Sequence, residues 1–124
     1  MVAKAIHADN QTHAAKALEA AGFPVEATTM YWISLRTSVF EWLERHSVPY
    51  EGTRDALVKA MSDPQVACVR NDLAFAYLVG TMAEWEEDFG VSQTQLDVFK
   101  TALQAVRGRL CCGSVSTAGE THGI

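Results

Sequence analysis

The chain predicts an all-α fold, an up-and-down bundle of four main helices plus one short helix, and three observations carry that expectation. Apolar residues recur at helical spacing through most of the 124 residues, as they do where positions three and four apart share one helix face. Proline, glycine and capping residues interrupt the pattern at intervals of about one helix length. No alternation of apolar and polar residues is long enough for a sheet, and no internal repeat is present.

The first helix is expected from Asp9 or Asn10 to Ala21, with a start near Val2 as the alternative, because Ala14, Ala15, Leu18 and Ala21 recur at helical spacing. Gly22 ends it. Pro24 then sits at the first helical position, where its missing N–H is one of the unpaired donors of a helix start anyway. The second helix follows to about His46. At about 100° per residue, Tyr31, Leu35, Val39 and Trp42 share an arc with Trp32 and Leu43 beside them, and Ile33 and Phe40 lie further round. Thr37, Glu44, Glu41, Ser34, Arg45 and Ser38 form the polar strip, with Glu41 and Arg45 as an exposed pair. A helix apolar over more than half its circumference is a central one.

Val48 to Gly52 reads as a loop, followed by the short helix from Thr53 to Met61. Asp63 and Pro64 mark the next start as cap and first helical residue, and a long helix is expected to about Phe89, with Gly90 as its stop. Ser92 and Gln95 have the spacing of a capping box, flanked by Val91 and Leu96. The last helix runs from about Gln93 to Arg109, with Leu96, Phe99, Ala102, Leu103 and Val106 inward. Residues 1–110 are expected to form one domain. The Gly-, Ser- and Thr-rich residues 111–124 read as a flexible tail, in part an appended sequence.

Fifteen acidic and ten basic side chains give a net charge of −5 and no Lys/Arg cluster, which argues against generic nucleic-acid binding. The apolar runs are too short to span a bilayer, and the N-terminus lacks a secretory h-region, so the expectation is a cytoplasmic protein without membrane contact. Cys68, Cys111 and Cys112 fit neither a disulfide framework nor zinc-ligand spacing. Cys68 is expected in the core.

The order of these signals resembles the HEPN superfamily. Leu18 and Gly22 close a first helix, and Ala27 with the Tyr31–Trp32 pair opens a long second one. Trp85 through Ser92 then resemble the acidic–aromatic turn before the final helix of many small HEPN proteins. The resemblance covers residues 10–110. It implies a helical bundle that often dimerises, with roles as ribonuclease toxins, as partners of nucleotidyltransferases or as uncharacterised modules. The ribonuclease branch carries an Arg followed, after four to six residues, by a His. None of Arg36, Arg45, Arg54, Arg70, Arg107 and Arg109 has a His in that register, so no catalytic residue is transferred.

Among candidate sites, Arg36 falls beside Trp32, Leu43, Ile33 and Phe40, and Asp72 beside Val79 and Ala83. A charge at an apolar address needs a partner, so the two are expected to pair across helices, in the interior or at a dimer interface. Glu84, Glu86, Glu87 and Asp88 oppose the macrodipole of the long helix and read as a solvated acidic face rather than a metal site, having no Glu-x-x-His companion. His7, His13, His46 and His122 form no ligand set, and His46 complements a helix C-terminus. The aromatic residues, Phe75 and Tyr77 included, are expected mostly in the core, with Trp32 and Trp85 as the candidates to anchor an interface.

No cofactor is implied. The preferred reading is a non-catalytic HEPN-like protein-interaction module, a homodimer with a possible further protein partner such as a nucleotidyltransferase or a toxin–antitoxin component. The alternative is a nucleotide- or RNA-binding protein or ribonuclease using Arg36, Arg70, Asp72 and Glu84 on the long helices.

Overall fold

The structure, a computed structural model, describes the backbone of residues 2–119 and the side chains of residues 8–110. Among the described residues there are six helices and no strands: α1 (Val2–Ala20), α2 (Pro24–Arg45), α3 (Thr53–Met61), α4 (Pro64–Ala67), α5 (Arg70–Trp85) and α6 (Gln93–Gly119). None of them is long and apolar enough to cross a membrane. The expectations for His7, Cys111, Cys112, His122 and residues 120–124 fall outside the described side chains.

Local chemistry explains most boundaries. Gly22 takes φ +88°, a left-handed conformation that ends α1 while Phe23 N–H donates to the Leu18 carbonyl at 3.0 Å. Pro24 opens α2. The Asp63 carboxylate accepts from Gln65 N–H at 2.8 Å at the head of α4. Before α6, Ser92 N–H donates to Gln95 Oε1 at 2.8 Å and Gln95 N–H donates to Ser92 Oγ at 3.1 Å, which completes the expected capping box.

α1 takes the earlier of its two expected starts, at Val2. Three expectations about helix extent need correction. α6 continues to Gly119, well past Arg109. The long helix expected from Pro64 to Phe89 is two helices. Val69, at φ −116° and ψ 21°, leaves helical geometry between α4 and α5, its N–H bonded three residues back to the Val66 carbonyl at 2.9 Å. That turn directs Cys68 to solvent rather than into the core. α5 then stops at Trp85 rather than near Gly90, with Glu86 extended. Ending there leaves Glu86, Glu87 and Asp88 just past the last helical residue in an exposed turn, where water solvates the carboxylates.

α2 is the central element, packed by α1, α3, α5 and α6. Trp32, Leu35, Val39, Trp42 and Leu43 of α2 are buried together with Leu73, Leu96, Phe99 and Val106. Each such large side chain contributes about 1.5–3 kcal/mol through removal from water. Part of the strip expected to be polar and exposed is covered instead: Ser34 and Glu41 are buried. Because α1 begins at Val2, its middle lies over Ser34, which donates to the Ala8 carbonyl at 2.9 Å. The Glu41–Arg45 pair forms at 3.2 Å, but with the carboxylate largely out of solvent.

α5 meets α2 through small residues. Gly80 faces the Trp32 ring so closely that a Cβ there would lie 2.6 Å from Trp32 Cδ2. Tyr77 packs edge-on to the same ring at 5.8 Å between centroids. α6 packs against both α2 and α5, with Phe99 set against Phe75.

Candidate functional site

The buried side of α5 carries Leu73, Ala76, Gly80 and Ala83, residues that leave room for Trp32. Its bulky apolar residues therefore point the other way. Asn71, Ala74, Phe75, Leu78, Thr81, Met82 and Trp85 fall within about 120° of arc at helical spacing. Phe75 is 38% exposed, Leu78 58%, Met82 37% and Trp85 76%, and Val98 of α6 adds 55%. Phe89, Val91 and Thr94 close the far wall of a groove of about 340 Å³ between α5 and α6. Contiguous exposure of this kind marks a surface that meets another molecule.

The predicted site residues are distributed over two places. Trp85 stands at the end of this stripe, while Arg70 is exposed at the opposite end of α5 and has no ion-pair partner among the described residues. Asp72 lines a shallow cleft with Phe75, Val98, Thr101 and Ala102. Trp32, Arg36 and Glu84 come together instead on the α2–α5 contact. Trp32 is fully buried and presents no surface to an interface, a correction to its expected role. The Arg36 guanidinium lies 5.8 Å from the Trp32 ring centroid and pairs with Glu84 at 3.5 Å.

The expected Arg36–Asp72 pair does not form. With Gly80 set on Trp32, the Glu84 carboxylate reaches the Arg36 guanidinium where it lies over the Trp32 ring. Asp72 is turned to α6 instead, where it lines the cleft with Val98, Thr101 and Ala102. Among the described residues no group of three or more His, Cys, Asp or Glu side chains is placed to hold a metal ion, the Glu84–Asp88 segment included. His46 stands at the α2 terminus with Nδ1 2.8 Å from the Trp42 carbonyl oxygen, the helix-end position expected of it.

A second site lies across α6 from the apolar groove. Thr12, Lys16 and Glu19 of α1 face Lys100, Gln104 and Arg107 of α6, with Tyr31 of α2 as the floor, around a pocket of about 490 Å³. At its inner end Arg107 Nη1 donates to Thr12 Oγ1 and to Ser34 Oγ, each at 2.8 Å. Arg107 Nη2 lies 3.9 Å from Asp9, whose carboxylate is largely in solvent. At the other end Lys100 Nζ donates to both Glu19 oxygens at 3.0 and 2.9 Å. Glu19 also accepts from Tyr31 O–H at 2.8 Å and from Gln93 Nε2–H at 2.7 Å. Lys16 is exposed and has no partner among the described residues.

These contacts set the protonation of the pocket. Burial pushes the Glu19 carboxyl upward, but hydrogen bonds from Lys100, Gln93 and Tyr31, with the Lys100 charge, together outweigh it and hold it below the ordinary carboxylate value. Burial, reinforced by the Glu19 carboxylate, pushes the Tyr31 phenol well above its ordinary value, so it stays a donor at every physiological pH. None of the pocket residues was among the candidates read from the sequence. The signal was a pair of matching polar stripes, Thr12–Lys16–Glu19 and Lys100–Gln104–Arg107, each spaced four then three residues.

Comparison with family models, with curated protein sequences and with solved structures gives no match to this chain.

Proposed function

We propose that this chain is a non-catalytic, HEPN-like interaction module that pairs with a second copy of itself across α5. One observation carries the reading: the exposed stripe of α5 is self-complementary about Leu78. In an antiparallel pairing of two α5 helices on a two-fold axis through Leu78, residues equally distant on either side face each other. Phe75 then meets Thr81, Met82 meets Ala74, and Trp85 meets Asn71, so each bulky side chain faces a smaller one. Arg70 meets Glu86, two exposed and oppositely charged groups without ion-pair partners among the described residues. Such arrangements combine apolar burial at the centre with charge pairing at the rim, which fixes the register.

In this reading the hairpins α1–α2 and α5–α6 form an up-and-down four-helix bundle, and α5 is its interaction edge. Sedimentation across a concentration series tests the pairing. The chain is expected at twice its 13.6 kDa mass. Leu78→Arg, which sets two like charges on the axis, is expected to give a folded monomer. Arg70→Glu is expected to weaken the dimer, and Arg70→Glu with Glu86→Arg to restore it. A wild-type monomer at every concentration, or a Leu78→Arg protein that still dimerises, would overturn the proposal.

A further inference from the structure

We infer that the pocket between α1, α2 and α6 binds the phosphoryl group of a small phosphate monoester. Three cations, Lys16, Lys100 and Arg107, and one carboxylate, Glu19, line it, a local balance of plus two on a chain of net charge −5. Glu19 is already saturated by Lys100, Tyr31 and Gln93, so it presents little free acceptor to an incoming anion. Asp9 is the other acid in reach, and it stands in solvent at 3.9 Å from Arg107, where water screens it.

The donors that remain free match a tetrahedral dianion. Among the described residues the Lys16 ammonium is unpartnered, Lys100 keeps its third N–H, and Arg107 commits Nη1 to Thr12 and Ser34 while Nη2 has only the distant Asp9. They converge from α1 on one side and α6 on the other. The Thr12 and Ser34 hydroxyls, 2.6 Å apart, fix the Arg107 fork before a ligand arrives, which lowers the ordering cost of binding. Two positive charges and three donor directions suit a phosphate monoester, which carries close to two negative charges at neutral pH. A planar monocarboxylate would leave one cation unmatched.

The volume, about 490 Å³, lies in the range of small-molecule sites, roughly 300–1,000 Å³, and exceeds what a bare phosphate fills. Leu103 and the Tyr31 ring supply an apolar wall for the organic part of the ligand. A nucleic-acid backbone is disfavoured, since its diesters carry one charge each and the chain as a whole repels a polyanion.

Isothermal titration with glucose 6-phosphate, inorganic phosphate, glucose, succinate and dimethyl phosphate tests the site. Saturable binding of glucose 6-phosphate is expected, weakened by salt, with inorganic phosphate weaker and glucose inert. Lys16→Ala is expected to raise Kd about tenfold, the lower end for loss of one charge-assisted hydrogen bond, and Lys16→Glu to abolish binding. Because Lys16 has no partner among the described residues, both variants should melt like the wild type, which separates lost binding from lost structure. No saturable binding of either phosphate compound overturns the proposal, as does succinate or dimethyl phosphate binding as tightly as glucose 6-phosphate, or Lys16→Ala leaving Kd unchanged.

Discussion

Gly80→Ala tests the packing that shapes the interaction face, because two effects of opposite sign meet at that residue. In an open helix position, replacing Gly by Ala stabilises by about 0.8–1 kcal/mol through propensity alone. At position 80, however, the new Cβ would lie 2.6 Å from Cδ2 and 2.7 Å from Cβ of Trp32, against about 3.5–4.0 Å for a favourable carbon contact. Trp32 is fully buried and its ring is flanked by Tyr77, so it has little room to yield. The contact is with the ring and the first side-chain carbon, not with a flexible tip. Overpacking of this kind costs about 1–3 kcal/mol. With the upper end of that range and the propensity gain subtracted, the net loss is ~2 kcal/mol. Unfolding entropy of about 2.1 cal/mol/K per residue over 124 residues converts this to a fall in Tm of about 8 °C. Gly108→Ala is the control, since a Cβ there meets nothing within 4 Å, and it should raise Tm by about 4 °C. Differential scanning calorimetry on the two variants decides the matter. If Gly80→Ala and Gly108→Ala stabilise equally, the close approach of α5 to Trp32 is refuted.

Two further outcomes concern the pocket and a helix cap. Glu19 holds its proton less readily folded than unfolded, so the stability it contributes is present above its ordinary value of 4.5 and is lost as pH falls through the lower folded value. Urea midpoints measured from pH 7 down to pH 3 should therefore fall more steeply for the wild type than for Glu19→Gln. Equal slopes would show that the Glu19–Lys100 contact contributes nothing. Ser92→Ala removes the oxygen that accepts from Gln95 N–H and should cost about 1 kcal/mol in denaturant unfolding, with a loss below a few tenths refuting the box.

What was legible in the sequence was local. Pro24, the Thr53–Met61 helix and the Ser92–Gln95 box rest on contacts within four residues, and each stands where the sequence puts it. The pocket was not legible, because Thr12 and Arg107 lie 95 positions apart and each polar stripe alone looks like a solvated helix face. Arg36 shows the same limit in another form. Periodicity correctly assigns it a partly covered face, yet the choice between Asp72 and Glu84 depends on how α5 is turned between α2 and α6. The fit of Gly80 to Trp32 sends Glu84 to Arg36 and Asp72 to the α6 cleft, a tertiary arrangement no periodicity encodes. Ser34 reads as surface for a related reason, since its cover comes from the part of α1 that begins before Asp9.

The orientation of α5 links the core to the proposed interaction face. A helix carrying Leu73, Ala76, Gly80 and Ala83 on one side and Phe75, Leu78, Met82 and Trp85 on the other would, on hydrophobicity alone, turn the second set inward. The volume of Trp32 forbids it, so the small face goes in and the large one is left in water. Exposed apolar area of that size is unfavourable for a monomer at about 25 cal/mol per Å², and the proposed pairing with a second copy would remove it. α6 closes both sites from opposite sides, with Val98 on the groove and Lys100 and Arg107 on the pocket. The two proposals are therefore separable in one protein. Leu78→Arg should abolish self-association and leave the phosphate affinity intact, whereas Lys16→Glu should do the reverse; loss of both properties in Leu78→Arg would mean that the pocket is completed only in the dimer.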